Sequence, residues 1–172
     1  GVGQRGELYE MLGQWSQAQT LTQQALWLTN KTQYLDGLYR WEWQQGRLFK
    51  KQGKQAEAIG AYDAAVETLA TVRKNLLFID TEVQFSFRDN VEPIYRELVE
   101  LLLTSENSNE PSQKNLEKAI QQIDNLQLSE LENFLRCDLS QTATISQFRA
   151  DSKTAILYPI ILEDRFSVIL QL

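Results

Sequence analysis

The sequence predicts a mostly α-helical protein of stacked helical hairpins, followed by a helical connector and a short C-terminal β-hairpin. Three observations carry that expectation. Only three prolines and eight glycines occur in 172 residues, so little interrupts a helix. A set of small and aromatic residues recurs at one fixed offset. The end of the chain switches to apolar, β-favouring runs.

The recurrence defines the hairpins. Gly6, Tyr9, Gly13, Ala18 and Ala25 return as Gly46, Phe49, Gly53, Ala58 and Ala65, each pair 40 residues apart. Small residues at the Gly6/Gly46, Ala18/Ala58 and Ala25/Ala65 positions let two helices approach closely. Gly13 and Gly53 fall where a helix C-terminus needs a left-handed residue. Residues Ile59, Tyr62, Val66, Leu69 and Leu76 form one stripe on a 3.6-residue period, which supports the second unit independently.

The connector comes next. Val83, Phe85 and Phe87 alternate with polar residues and predict an extended segment. Val91, Ile94, Tyr95, Leu98, Val99 and Leu102 predict a helix over 90–104, with Asp89 or Asn90 as its cap and Pro93 in its first turn. The polar run Thr104–Pro111 predicts a surface loop. A helix follows from about Ser112, and Ser129 with Glu132 predicts a capping box that starts a fresh helix near Glu130. Thr154–Leu162 and Phe166–Leu172 read as strands around Glu163-Asp164-Arg165, with Pro159 demanding an edge or a bulge.

Composition excludes several functions. The chain contains no histidine, and its single cysteine is Cys137. That removes Ser-His-Asp and Cys-His catalysis, so no enzyme activity is expected of this chain. Cys137 reads as a structural, partly buried thiol. The net charge of −6 argues against nucleic acid, whose phosphates reward clustered cations. Apolar runs are too short for a membrane span. One cysteine fits a reducing compartment and predicts a cytoplasmic protein. No residue pattern calls for a cofactor or metal, and the carboxylates Asp89, Glu92, Glu97 and Glu100 lack the spacing of a cation loop.

Residues 6–26 and 46–66 resemble the tetratricopeptide repeat, with its small–aromatic–Gly–aromatic–Ala–Ala order. The departures are Glu42 and Gln45, where that pattern prefers Trp and Leu, and a period of 40 in place of 34 residues. The stretch Phe85–Pro93 with Tyr95-Arg96-Glu97-Leu98, together with Leu131–Arg136 and Ile156–Ile160, is similar to bacterial, especially cyanobacterial, repeat proteins of the CHAT type. In these, tetratricopeptide repeats precede a caspase-like domain. The resemblance implies two repeat hairpins over 1–80, a helical connector over 81–139, and the start of a truncated CHAT-like domain over 140–172. It implies a scaffolding module that presents or regulates a caspase-like protease downstream in cis, whose His and Cys would lie beyond Leu172. A structural brace or a free-standing oligomerisation module are the alternatives.

One set of residues is a candidate site. Arg40, Trp43, Arg47, Lys50 and Lys51 fall within about a 100° arc of the helix 33–52, at 100° per residue. The resemblance implies that these positions line the groove where peptides dock, so the arc is a receptor for a protein or acidic peptide segment, a basic solvated face, or a face paired with acidic helices of the same chain. Of the four tryptophans, Trp15, Trp27 and Trp41 are expected between the repeats and Trp43 on the arc. The C-terminal hairpin is too apolar for a two-stranded ribbon in water. It is expected to pack on the connector and to pair along an edge with a second copy, making a dimer that results from truncation.

Overall fold

The computed structural model describes residues 1–32, 34–77, 90–104, 110–135, 139, 154–162 and 164–171. The expected extended segment around Phe85 and Phe87, the cap residue Asp89 and Cys137 lie outside them. Contacts divide the chain into two compact units, Gly1–Glu82 and Val83–Leu172.

The first unit holds four helices: α1 (Val2–Met11), α2 (Trp15–Thr32), α3 (Leu35–Lys51) and α4 (Gln55–Leu77). They form two hairpins, α1/α2 and α3/α4, and α3 packs onto α2. The two turns are superimposable in their bonding. Gly13 and Gly53 both have φ of +70°. Gly13 N donates to Glu10 O at 3.0 Å and Gln14 N to Tyr9 O at 2.9 Å; Gly53 N donates to Lys50 O at 3.1 Å and Lys54 N to Phe49 O at 3.0 Å. This paired 5→2 and 6→1 closure needs a left-handed residue at the glycine, which any Cβ would strain.

Packing follows the same offset. Ala18, Ala25, Ala58 and Ala65 are all buried, so each helix pair is in close contact. A Cβ on Gly46 would stand 2.6 Å from the Tyr62 ring, and one on Gly6 would stand 3.2 Å from Thr22 Oγ1, with Thr22 and Tyr62 again 40 residues apart. The 40-residue recurrence is therefore a repeat of structure.

In the second unit, α5 (Glu92–Leu102) packs on α6 (Gln113–Leu135), and β1 (Ile156–Ile161) pairs antiparallel with β2 (Phe166–Gln171). The N-cap of α5 is Val91, one residue beyond the expected Asn90. Ser112 does cap α6: its Oγ accepts from Asn115 N at 3.2 Å. The expected break at Ser129 is absent. α6 runs through it, and Ser129 and Glu132 are buried on its inner face. With no Gly or Pro between 113 and 135, an internal helix continues past a capping-box signature when packing favours it. Glu132 Oε1 instead accepts from Leu139 N at 3.0 Å.

The hairpin has two unlike faces. Tyr158, Ile160, Leu162 and Ile169 are buried, while Leu157, Pro159, Ile161, Phe166, Val168 and Leu170 point outward. Leu162 N donates to Arg165 O at 2.9 Å. The bonded pairs are therefore Ile160/Ser167, Tyr158/Ile169 and Ile156/Gln171, and the residues between them turn their backbone groups away from the ladder. On β1 that outer edge is interrupted by Pro159, which has no N–H, and the Ile161 carbonyl accepts from Arg96 Nη1 at 2.9 Å.

Candidate functional site

Helix α3 carries all five arc residues, and its geometry splits them. Arg47 grips Glu10 of α1 in a two-pronged ion pair, Nε to Oε1 at 2.7 Å and Nη2 to Oε2 at 2.8 Å. Its guanidinium also lies 4.6 Å from the Trp43 ring centroid. Both partners are more than half sheltered from solvent, where such a charged fork is strong. Arg47 thus ties the second hairpin to the first, and Glu10 already answers its charge. Arg40 donates from Nε to Tyr39 Oη at 3.1 Å and is exposed. Lys50 and Lys51 are exposed in the last turn of α3, where cations complement the helix C-terminus.

The stripe of α3 beside the arc also faces the first hairpin. The Trp41 ring occupies the space a Cβ on Gly3 would need, and the Gln44 amide sits against Gly6 beside Thr22. Gln52, past the end of α3, donates to Gln19 of α2. Leu48 shares this stripe and is 1% exposed. Its repeat equivalent on α1 is Leu8, which is 55% exposed, and Leu12 holds the place of Gln52 and is also exposed. The corresponding stripe of α1 thus carries two exposed leucines, with Gly1 and Gln4 in the places of Trp41 and Gln44.

Two tryptophans depart from expectation. Trp41 is packed between the hairpins, but Trp27 is 62% exposed with Lys31 Nζ 5.0 Å above its ring, and Trp15 is exposed as well. Periodicity assigns a side chain to a helix face, but a face is buried only if something lies on it.

The Gln44 amide is buried with neither its nitrogen nor its oxygen hydrogen-bonded, a cost usually avoided. Among the described residues, Glu42 Oε2 and Gln122 Oε1 are likewise buried without a hydrogen-bond partner. Burial raises the Glu42 carboxyl above the ordinary value of 4.5; a hydrogen bond from Thr68 pulls it back in part, and the Glu67 charge adds to the rise.

In the second unit a cleft of about 360 Å³ lies between α5 and the end of β1. Its lining offers Glu92, Glu97, Glu100 and Arg96 but no hydroxyl, thiol or imidazole. Arg96 Nε is already bound to Glu92 Oε1 at 2.6 Å. Among the described residues no group of three or more His, Cys, Asp or Glu is placed to hold a metal ion, and no helix is long and apolar enough to cross a membrane. No protein-family model, curated protein or solved structure matches the chain.

Proposed function

We propose that the chain is a protein-recognition and scaffolding module whose first hairpin offers a docking surface for another helical hairpin. The contrast between Leu8 and Leu48 carries this reading. The same repeat position is buried in α3 and exposed in α1. Apolar side chains at i and i+4 on a rigid helix are the anchors that helix-in-groove recognition uses. Stacked hairpins hold such a surface in place without needing to reorganise.

The likeness of Phe85–Pro93 and of the C-terminal runs to CHAT-type proteins supports a further role, in presenting or regulating a caspase-like protease domain in cis. The test of recognition is Leu8→Glu with Leu12→Glu. Partners recovered with the full wild-type chain should bind the double variant at least tenfold more weakly, about 1.4 kcal/mol, with an unchanged melting temperature. Equal affinity would reduce the chain to a brace.

The exposed end of the basic arc supports a second contact, with an acidic peptide segment. Lys50→Glu with Lys51→Glu should weaken binding of a poly-glutamate peptide, and the difference should shrink as salt rises. Arg47 is a poor probe of that contact, because changing it also releases Glu10.

A further inference from the structure

The outward face of the β-hairpin is apolar without interruption. Its cross-strand pairs are Leu157 with Leu170, Pro159 with Val168, and Ile161 with Phe166. Apart from Pro159, these side chains are 52 to 70% exposed. At roughly 150–200 Å² for a large apolar side chain laid open, they leave on the order of 500 Å² of apolar surface. That is near the upper end of what a soluble monomer shows. The opposite face is already filled, with Tyr158, Ile160, Leu162 and Ile169 buried.

We propose that this face seats the same face of a second copy of the chain, two hairpins stacked across a two-fold axis. The size of the contact favours this occupant. Two copies would bury roughly 1,000 Å² in total, the area at which a specific interface becomes sustainable. The chemistry favours it too. The face carries no charge and no side-chain donor by which to select a different polar partner, so its complement is another apolar sheet face about 10 Å away. A two-fold contact uses one patch twice and closes on itself. Edge-to-edge pairing is a weaker alternative. Pro159 and the Arg96 contact obstruct the β1 edge, and pairing along β2 would leave the apolar face wet.

This inference is independent of the recognition surface on α1. Sedimentation of the full chain over a range of concentrations should show a monomer–dimer equilibrium. Leu157→Lys with Ile161→Lys should weaken the dimer at least tenfold, about 1.4 kcal/mol. Because both side chains are exposed, far-UV circular dichroism and the monomer's melting temperature should hold. Leu157→Thr with Ile161→Thr, which keeps strand propensity, should weaken it in the same direction. Leu8→Glu with Leu12→Glu should leave dimerisation unchanged. A wild-type chain that stays monomeric throughout overturns the assignment. So does a dimer of unchanged affinity in both β1 variants, or one lost only in the Leu8/Leu12 variant.

Discussion

The hairpins α1/α2 and α3/α4 share a turn, a helix spacing and a set of small residues, yet their interiors are built differently. In α2 the buried stripe is Ala18, Thr22, Ala25 and Thr29; in α4 the same positions hold Ala58, Tyr62, Ala65 and Leu69. The two threonines satisfy themselves inside their own helix, Thr22 Oγ1 on Ala18 O at 2.7 Å and Thr29 Oγ1 on Ala25 O at 2.8 Å. Tyr62 lays its ring against Gly46 of α3, and Leu69 is fully buried. Backbone geometry is thus set by the glycines and alanines, while the strength of packing is set at the positions between them. The second hairpin is the core, and the first is a surface laid against it.

The largest test of this difference is deletion of one leucine in each copy. Leu48→Ala should cost about 2–5 kcal/mol, the usual range for a buried leucine, whereas Leu8→Ala should stay within about 0.5 kcal/mol. Urea melts of the two variants measure both. Similar losses would mean that Leu8 is covered in solution.

Next comes the glycine beneath each second helix. Gly46→Ala presses a methyl into the fully buried Tyr62 ring and should cost roughly 1–3 kcal/mol after the helical gain. Gly6→Ala meets the end of the Gln44 amide and the Thr22 hydroxyl at 3.0 and 3.2 Å. It should come out near neutral, because those groups can give way and alanine favours the helix by about 0.5–1 kcal/mol. Thermal melts that rank the two the other way would break the comparison.

The smallest effect concerns Glu42 and Thr68, whose places in the first hairpin are taken by Val2 and Leu28. The raised carboxyl binds its proton more tightly in the folded chain than in the unfolded one. Stability therefore falls as pH rises from the ordinary value of 4.5 through the folded value, and the penalty is absent below 4.5. Glu42→Gln should stabilise the protein at neutral pH, with the advantage fading as the pH approaches 4.5. A pH-independent difference in denaturant midpoint would assign the effect to packing.

What was legible in the sequence was local. Gly13 and Gly53 announce their turns, because a left-handed residue at a helix end is a short-range demand. The β-hairpin is equally plain, since its alternation and its turn lie within one short stretch. Contacts set by distant elements were hidden. The Glu10–Arg47 pair joins residues 37 apart, and nothing near Arg47 foretells that its charge is already answered. The exposure of Trp27 and the continuity of α6 through Ser129 depend likewise on what lies against each helix. For the candidate site, the sequence placed the cations on one face of α3 but could not tell the clamp from the exposed lysines.

Pro159 has one more consequence, which concerns polymerisation. A hairpin with two open edges can recruit strands on both sides and grow into a fibre, the hazard of every unprotected sheet. Here β1 lacks a donor at its middle residue, and Arg96 occupies the carbonyl at Ile161. Recruitment at that side stalls for want of alternate bonds, so strand addition is confined to β2. Two chains that meet along β2 leave only obstructed edges behind them. Taken by itself, chain association through the ladder therefore stops at a pair.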